Sequence, residues 1–432
     1  MKKLFEKIKN LIPKDMLWIF GSGAASQIFG FLSSIIVVRF LDKADYGLYV
    51  GAYNKYSYFA TFLGLGFATT VLQYCSEQRP EAQKNAIYDY ALRFGSVFNT
   101  VLMLLIIVLG VIMDRQGKGP YLTMMCALPF FNYVFFLYRN SLRTNSDNRG
   151  FALACMSNAL LLCVGNILLT RVMGTSGFIA AAYIAYTLSS VVAIILLQKK
   201  GFFSHIKQDR VPLTRPFKTE LIKYSAMCAS MLFVTIVLGL LDITCLDIIT
   251  GDPTVLAEYK VALAIPAAMQ TVTECLSTYY YPMLVREYSS SESGFKGMIR
   301  KCIPIYAAVS FLMSAALFIL APFIIKTIYG TKYINAIPIF RILCLHLFIS
   351  AGVHKFMGNI IMAMKKVNIS LIFAGLSGLL NIALDFALIH AMGPQGAAWA
   401  TCIVTVFITA LEAVYIFRRL FPRKESSSTL NS

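Results

Sequence analysis

The stretch LNIALDFALIHAMGPQGAAWATCIVT (380–405) joins two apolar runs through a short Gly-Pro-Gln-Gly turn. A matching stretch, GNILLTRVMGTSGFIAAAYIAYT (165–187), lies half a chain length earlier. Both have Asn-Ile in the middle of an apolar run, then a G-x-x-G turn, then an alanine-rich helix start. Self-similarity at a fixed period indicates internal duplication. The sequence therefore predicts two copies of one helical design.

The composition is that of a membrane protein. Of the 432 residues, 58% are hydrophobic and only 14% are charged, whereas about 25% are charged in soluble domains. Apolar runs of roughly 20 residues recur, the length that a helix needs to cross a bilayer core of about 30 Å. We predict an all-α polytopic membrane protein with about 12 transmembrane helices in two six-helix pseudo-symmetric lobes. The predicted spans are 17–38, 47–74, 86–113, 121–142, 151–171, 176–198, 221–249, 255–283, 302–325, 335–362, 367–390 and 395–417.

The domain organisation follows from these spans. Residues 1–198 form the predicted N-terminal lobe and residues 221–418 the C-terminal lobe. The segment 199–220 between them is basic, contains two prolines and is predicted to be a cytoplasmic linker. The polar tail 419–432 is predicted to be disordered and cytoplasmic. No loop is long enough to form a separate soluble domain.

The basic residues indicate the orientation. The formal net charge is +18, and most of the 39 lysines and arginines fall in segments that would share one side of the membrane. Because cytoplasmic loops carry the excess of lysine and arginine, both termini are predicted to be cytoplasmic. Anionic membrane lipids at the inner leaflet account for this charge, and no nucleic-acid partner is expected.

Four stretches carry a resemblance to a known family. They are VVRFLDKADYGLY (37–49), LGLGFATTVLQYCSE (63–77), GNIIMAMKKVNISL (358–371) and NIALDFALIHAMGPQGAAWAT (381–401). They resemble segments of Wzx-type O-antigen and polysaccharide repeat-unit flippases, which belong to the multidrug/oligosaccharidyl-lipid/polysaccharide (MOP) flippase superfamily. With the span number and the midpoint break, the resemblance covers nearly the whole chain.

The resemblance implies a function. Two six-helix bundles would move an undecaprenyl-pyrophosphate-linked oligosaccharide from the inner to the outer leaflet of the bacterial cytoplasmic membrane by alternating access. The product would enter O-antigen, capsule or exopolysaccharide biosynthesis, with a polysaccharide polymerase and a chain-length regulator as candidate partners. The cargo would bind where the two halves meet.

Charged groups inside the first predicted lobe are candidates for substrate binding. Lys55 lies too deep in its span to be a simple loop charge, and the rings of the neighbouring Tyr53 and Tyr56 can stack on sugars. Arg39, at the outer end of the first span, is a candidate gate charge. The alternatives are that Lys55 reaches out to the interface or pairs with an acid, and that Arg39 is an ordinary interfacial arginine.

The second predicted lobe supplies further candidates. Lys260 and Glu274 share a helix face, as do Arg341 and Lys355 on another span. The lysines and arginine are candidates for binding the pyrophosphate. Glu274 is a candidate for coupling to a proton or sodium ion, and an ion pair with a lysine is its alternative role. Asp242 is a second candidate for ion coupling or for neutralising a cation.

No other cofactor is expected, and no metal site is predicted. The ten cysteines are scattered and form no CxxC pair or Cys/His cluster. No P-loop, HExxH motif or nucleophile triad occurs, so we expect that the chain is not an enzyme.

Two alternatives to the flippase remain open. One is a MATE-like multidrug/cation antiporter of the same superfamily, for which an acidic cavity would be typical. The other, disfavoured by the short loops, is a membrane-embedded polysaccharide polymerase or glycosyltransferase. The five basic residues within spans favour an anionic cargo; they are Lys55, Arg93, Lys260, Arg341 and Lys355.

Overall fold

The computed structural model describes residues 14–114, 117–202 and 211–420, and these are helical with no strand. The chain divides into two compact units, Met1–Leu240 and Leu241–Ser432. The boundary falls inside the helix Arg215–Thr250, whereas the sequence places its linker at 199–220. The predicted disordered tail lies outside the described residues from position 421 onwards.

Among its described residues, unit 1 contains seven α-helices and most of an eighth, several of them longer than a bilayer core requires. Its helices are α1 (Lys14–Phe40), α2 (Lys43–Ala60), α3 (Phe67–Ser76), α4 (Glu81–Ile112), α5 (Gly119–Met124), α6 (Leu128–Thr144), α7 (Asn148–Gln198) and the larger part of α8 (Arg215–Thr250).

Unit 2 begins with the last residues of α8 and continues to the end of the described chain. Short π-helical turns, Ile325–Tyr329 and Ser350–His354, follow two of its helices. Such turns occur frequently at functional sites. Its helices are α9 (Pro253–Ser290), α10 (Glu292–Ile324), α11 (Ala336–Ile349), α12 (Lys355–Ala363), α13 (Val367–Met392) and α14 (Pro394–Leu420).

The helices agree with the predicted spans. Among the described residues, nine helices are long and apolar enough to cross a membrane, and α2 with α3 forms a bent pair that adds a tenth. One of the nine is α7, whose 51 residues include a break at Gly174 and so accommodate two predicted spans. Each of the twelve predicted spans coincides with a helix, a helix pair or one half of α7. The predicted all-α polytopic fold is confirmed.

One predicted span is broken. The run 47–74 is not a continuous helix, because Gly64, Leu65 and Gly66 all have positive φ between α2 and α3. The ring of Tyr133 packs directly on Gly64, where a Cβ atom would lie 2.1 Å from it. The Gly64 amide donates a hydrogen bond to Asn99 Oδ1 at 3.0 Å. A helical pattern cannot reveal this break, since it depends on a side chain from α6.

The G-x-x-G turn has the same backbone geometry in both units. Gly174 has φ 58° and ψ −138°, and Gly393 has φ 61° and ψ −140°, a conformation that is essentially restricted to glycine. At Gly177 and Gly396, a Cβ atom would lie 2.1 Å from the carbonyl oxygen eight residues earlier. The two copies seen in the sequence therefore fold alike at this turn.

Candidate functional site

The predicted site residues of unit 1 lie at the end of α1 and along α2. Arg39 is exposed and Lys55 is half-buried. Tyr53 is 42% exposed, and its ring lies 5.6 Å from that of Tyr49 and 5.7 Å from that of Tyr56. Tyr56 is only 5% exposed and belongs to a hydrophobic cluster. Tyr53 is therefore the accessible ring of this group, and the buried Tyr56 ring packs against it.

Two predicted residues of unit 2 form an ion pair. Lys355 Nζ, at the start of α12, donates to Glu274 Oε1 on α9 at 3.1 Å. Both side chains are well exposed, at 42% and 55%. This is the alternative role that the sequence gives Glu274. In this arrangement each charge neutralises the other.

The two other predicted cations of unit 2 have no carboxylate partner among the described residues. Lys260 on α9 is half-buried and makes neither an ion pair nor a hydrogen bond with a described residue. The Arg341 guanidinium on α11 lies over the ring of Phe318 at 5.3 Å, and its buried Nε has no hydrogen-bond partner. Neither side chain is therefore occupied by a described carboxylate, and the Arg341 guanidinium, which stays protonated in proteins, can bind an anion.

Asp242 lies at the centre of a polar group that we call the acid cluster: Asp242, Tyr259, Asn381, Asp385 and Thr401. Asp242 Oδ2 accepts hydrogen bonds from the Tyr259 hydroxyl and, at 2.6 Å, from Thr401 Oγ1. The side chain of Asn381 also faces Asp242, while its Nδ2 has no partner within hydrogen-bond distance. Four helices, α8, α9, α13 and α14, supply these groups.

Asp385 is the least satisfied member of the acid cluster. It is 0% exposed, and neither carboxylate oxygen has a hydrogen-bond partner. It lies near Asp242, with the Cys245 thiol beside it. No lysine or arginine of the described chain pairs with either aspartate.

The chemistry of the acid cluster suits a small cation. A buried carboxylate without a compensating charge is costly, by several kcal/mol or more. A bound proton or hard metal ion removes that cost, and carboxylate, hydroxyl and amide oxygens are the ligands that hard cations prefer. No group of three or more His, Cys, Asp or Glu side chains with metal-site geometry occurs in the described ranges, so a transition-metal site is not supported.

A second buried acid of unit 2 has a histidine partner. Glu412 on α14 is 4% exposed, and its Oε2 lies 2.9 Å from His354 Nδ1. His354 ends the π-helical turn Ser350–His354 and is 39% exposed. Glu412 is thus locally compensated, whereas Asp385 is not.

Sequence reasoning found Asp242 but missed its partners. Asn381 and Asp385 are four residues apart and therefore share a helix face, a signal that was available in the quoted stretch 380–405. Tyr259 and Thr401 give no such signal, because tyrosine and threonine are common in helices for many reasons. Their role depends on four helices meeting.

Comparison with known proteins identifies a family whose model matches this chain. Residues 12–287 match the model of a family described as polysaccharide biosynthesis protein. No curated protein sequence is similar enough to count as a relative.

Several solved structures share the fold. An inward-facing multidrug resistance MATE transporter of the MOP superfamily is 14% identical, with a TM-score of 0.77 over 93% of this chain and 96% of that one. The lipid II flippase MurJ, in an inward closed conformation, is 13% identical, with a TM-score of 0.72 over 92% and 87%. A MOP superfamily transporter from Pyrococcus furiosus is also 13% identical, with a TM-score of 0.60 over 94% of each chain.

These likenesses establish the fold, and the matched residues establish the family. The chain is a multi-pass membrane protein with the MOP fold, as the sequence resemblance implied. Since the family model covers well over half of its length, the chain belongs to the polysaccharide biosynthesis protein family.

Proposed function

We propose that this protein is a flippase that moves an undecaprenyl-pyrophosphate-linked oligosaccharide repeat unit across the bacterial cytoplasmic membrane, from the inner to the outer leaflet. Membership of the polysaccharide biosynthesis protein family is the observation that carries the proposal. The fold shared with MurJ, a lipid II flippase, is consistent with a lipid-linked saccharide as cargo. Both termini would be cytoplasmic, and a polymerase and a chain-length regulator would take up the product as O-antigen or a similar surface polysaccharide.

The uncompensated cations support an anionic cargo. A pyrophosphate loses its hydration when it leaves the membrane surface and needs positive charge in exchange. Lys260 and Arg341 are available to such an anion, because no described carboxylate pairs with them. Lys355 would have to break its ion pair with Glu274 before it could bind a phosphate. Lys55, Tyr53 and Arg39 remain proposed contacts in unit 1.

The acid cluster supports coupling to a cation gradient. Asp242 and Asp385 would bind a proton or a sodium ion, and the bound and empty forms would favour different conformations. The sequence also predicts Glu274 for this role, but its ion pair with Lys355 favours the acid cluster instead.

A reconstituted assay tests the proposal. Proteoliposomes receive an undecaprenyl-pyrophosphate-linked oligosaccharide on one leaflet, and a membrane-impermeant glycosidase reports how much glycan remains accessible. We expect the protein to change the accessible fraction and protein-free vesicles to leave it constant. If the accessible fraction is the same with and without protein, under every ion gradient, the flippase proposal is wrong.

A MATE-like antiporter for cationic drugs is the second candidate. The acid cluster favours it, because unpaired carboxylates bind organic cations as well as metal ions. Uptake of a fluorescent cationic drug into the same vesicles separates the two functions. Drug uptake without glycan movement would show that the flippase proposal is wrong and would favour the antiporter.

A further inference from the structure

Unit 1 contains a cavity that the predicted site residues do not touch; its surface is mainly apolar, with a polar stripe along one wall. It has a volume of about 630 Å³ and lies among α1, α6 and α7. The wall from α1 consists of glycines, serines and Gln27. A polar stripe on a membrane span must face protein or water, because lipid cannot satisfy its polar groups. The cavity is therefore expected to be hydrated and open to a polar ligand.

Three polar groups in the cavity wall lack partners. Arg139 Nε, Asn158 Oδ1 and Asn166 Oδ1 are all inaccessible to solvent and make no hydrogen bond. Asn166 is only 6% exposed, and its Nδ2 donates to Ser33 Oγ at 2.6 Å, which fixes the amide in place. Native structures contain few such orphan groups, and each asks for an explanation. Other unpartnered groups occur elsewhere in unit 1, but these three line one cavity, and a ligand that reached them after a small movement of the side chains would satisfy all three.

The cavity also carries an unneutralised positive charge. The Arg139 guanidinium is held between aromatic rings, 4.1 Å from the centre of Phe136 and 5.4 Å from that of Phe151. No aspartate or glutamate lines the cavity, and no described carboxylate pairs with Arg139. A fixed guanidinium without a carboxylate is suited to an oxyanion, which it can bind through two parallel hydrogen bonds.

The amide and hydroxyl groups of the cavity wall further define the chemical class of the ligand. A phosphate ion offers mostly acceptor oxygens and only one or two P–OH donors at neutral pH, so it would satisfy Arg139 but could not also donate to amide oxygens on several sides of the cavity. A sugar hydroxyl both donates and accepts and can satisfy either end of Asn158 and Asn166. The wall thus matches a ligand that combines hydroxyl groups with one anionic group.

We propose that this cavity binds an anionic sugar of the translocated glycan, with Arg139 on its phosphate or carboxylate and with Asn158 and Asn166 on its hydroxyls. The anion has two possible sources. It is either the phosphate on the first sugar, next to the lipid, or the carboxylate of an acidic sugar further along. This inference rests on the proposed flippase function and gives the glycan a recognition site.

Binding to the full-length protein in nanodiscs tests the inference. The probes are N-acetylglucosamine 1-phosphate, glucuronate, glucose and inorganic phosphate. The binding of each probe is detected by saturation-transfer NMR, and its affinity is measured by titration. We expect one of the two anionic sugars to bind more tightly than both glucose and inorganic phosphate, and the better one identifies the source of the anion. If neither anionic sugar exceeds glucose and inorganic phosphate, the inference is wrong.

Matched variants locate the binding. Arg139→Gln should lower the affinity for the preferred anionic sugar by about tenfold or more, the usual effect of losing a hydrogen bond to a charged group. Arg139→Lys should lower this affinity less. Arg143→Gln is the control, because Arg143 lies one turn further on α6, is exposed and does not line the cavity. Asn158→Ala, at a half-buried position, provides a second test in case Arg139→Gln does not fold. Wild-type affinity in both Arg139→Gln and Asn158→Ala would overturn the assignment.

The glycan-movement assay separates the two proposals. If wild-type protein moves the lipid-linked oligosaccharide and Arg139→Gln moves it equally well, the cavity has no role but the flippase function stands. If wild-type protein moves no oligosaccharide, the flippase function itself fails.

Discussion

The two units have the same turn but different charged groups beside it. In unit 1 the cavity that Asn166 lines holds Arg139, whose Nε has no partner, and no carboxylate lines that cavity. In unit 2 Asn381 lies in the acid cluster with Asp385, whose carboxylate oxygens have no partner, and no described lysine or arginine pairs with it. The Asn-Ile of the repeat supplies Asn166 in one case and Asn381 in the other. The turn thus has the same backbone geometry in both units, while the charged groups near the repeated Asn-Ile differ.

This contrast suggests a division of labour. The positive group in the cavity with Asn166 suits an anionic cargo, and the acids beside Asn381 suit a coupling cation.

The largest effect is expected at the acid cluster. Asp242→Asn and Asp385→Asn should each reduce gradient-dependent glycan movement by roughly a hundredfold, the scale at which lost electrostatic groups act in preorganised sites. The reason is that an uncharged amide cannot take up a proton at neutral pH and supplies no negative charge to offset that of a sodium ion. The rate is measured in proteoliposomes against sodium concentration and against pH.

Glu292→Gln is the control for the acid cluster. Glu292 is an acid of the same unit, but it lies at the start of α10, pairs with Lys296 at 2.5 Å and is exposed. It should leave transport unchanged. If Asp385→Asn retains the full ion dependence, coupling does not occur at the acid cluster.

The shared turn should respond equally in both units. Gly177→Ala and Gly396→Ala place a methyl group against a backbone carbonyl, and such overpacking costs about 1–3 kcal/mol. Both variants should therefore melt several degrees below the wild type in detergent. Thermal unfolding followed by tryptophan fluorescence or scattering measures the difference.

Gly375→Ala is the matched control for the turn. Gly375 lies in α13, and nothing lies within 4 Å of a Cβ atom built there. Alanine favours helix by about 1 kcal/mol over glycine, so this variant should be neutral or slightly stabilising. A melting temperature for Gly396→Ala as high as that for Gly375→Ala would mean that the turn is not tightly packed.

A smaller effect is expected at the Lys355–Glu274 pair. Because both side chains are exposed, removing either should change stability by less than about 1 kcal/mol. Lys355→Ala should nevertheless slow glycan movement, since it removes a proposed phosphate contact, and Lys55→Ala should do the same in unit 1. Normal surface polysaccharide in both variants would remove these lysines from the mechanism.

Much of the fold could be predicted from the sequence, because span length and the repeat depend on local composition. The break at Gly64 could not, since it depends on the ring of Tyr133 from another helix. The same limit applies to the sites. The sequence placed Lys355 and Glu274 on two helices but could not show that they pair.

Arg139 shows most clearly that contacts between side chains could not be predicted from the sequence. It lies near the end of a predicted span that the sequence assigns to the cytoplasmic side, where a basic residue is expected in any case. The packing of Phe136 against its guanidinium, at 4.1 Å, distinguishes it from the exposed Arg143, whose guanidinium also lies over the ring of Phe151. Asp385 is similar, because its importance depends on the absence of a cation nearby, which a single sequence does not reveal.

The most direct test of the central claim is the movement of an undecaprenyl-pyrophosphate-linked oligosaccharide in proteoliposomes under an imposed sodium or proton gradient. We predict that wild-type protein moves the glycan to the opposite leaflet, that dissipating the gradient slows it, and that Asp385→Asn is insensitive to the gradient. Glycan that stays on its original leaflet in the presence of wild-type protein would contradict the account.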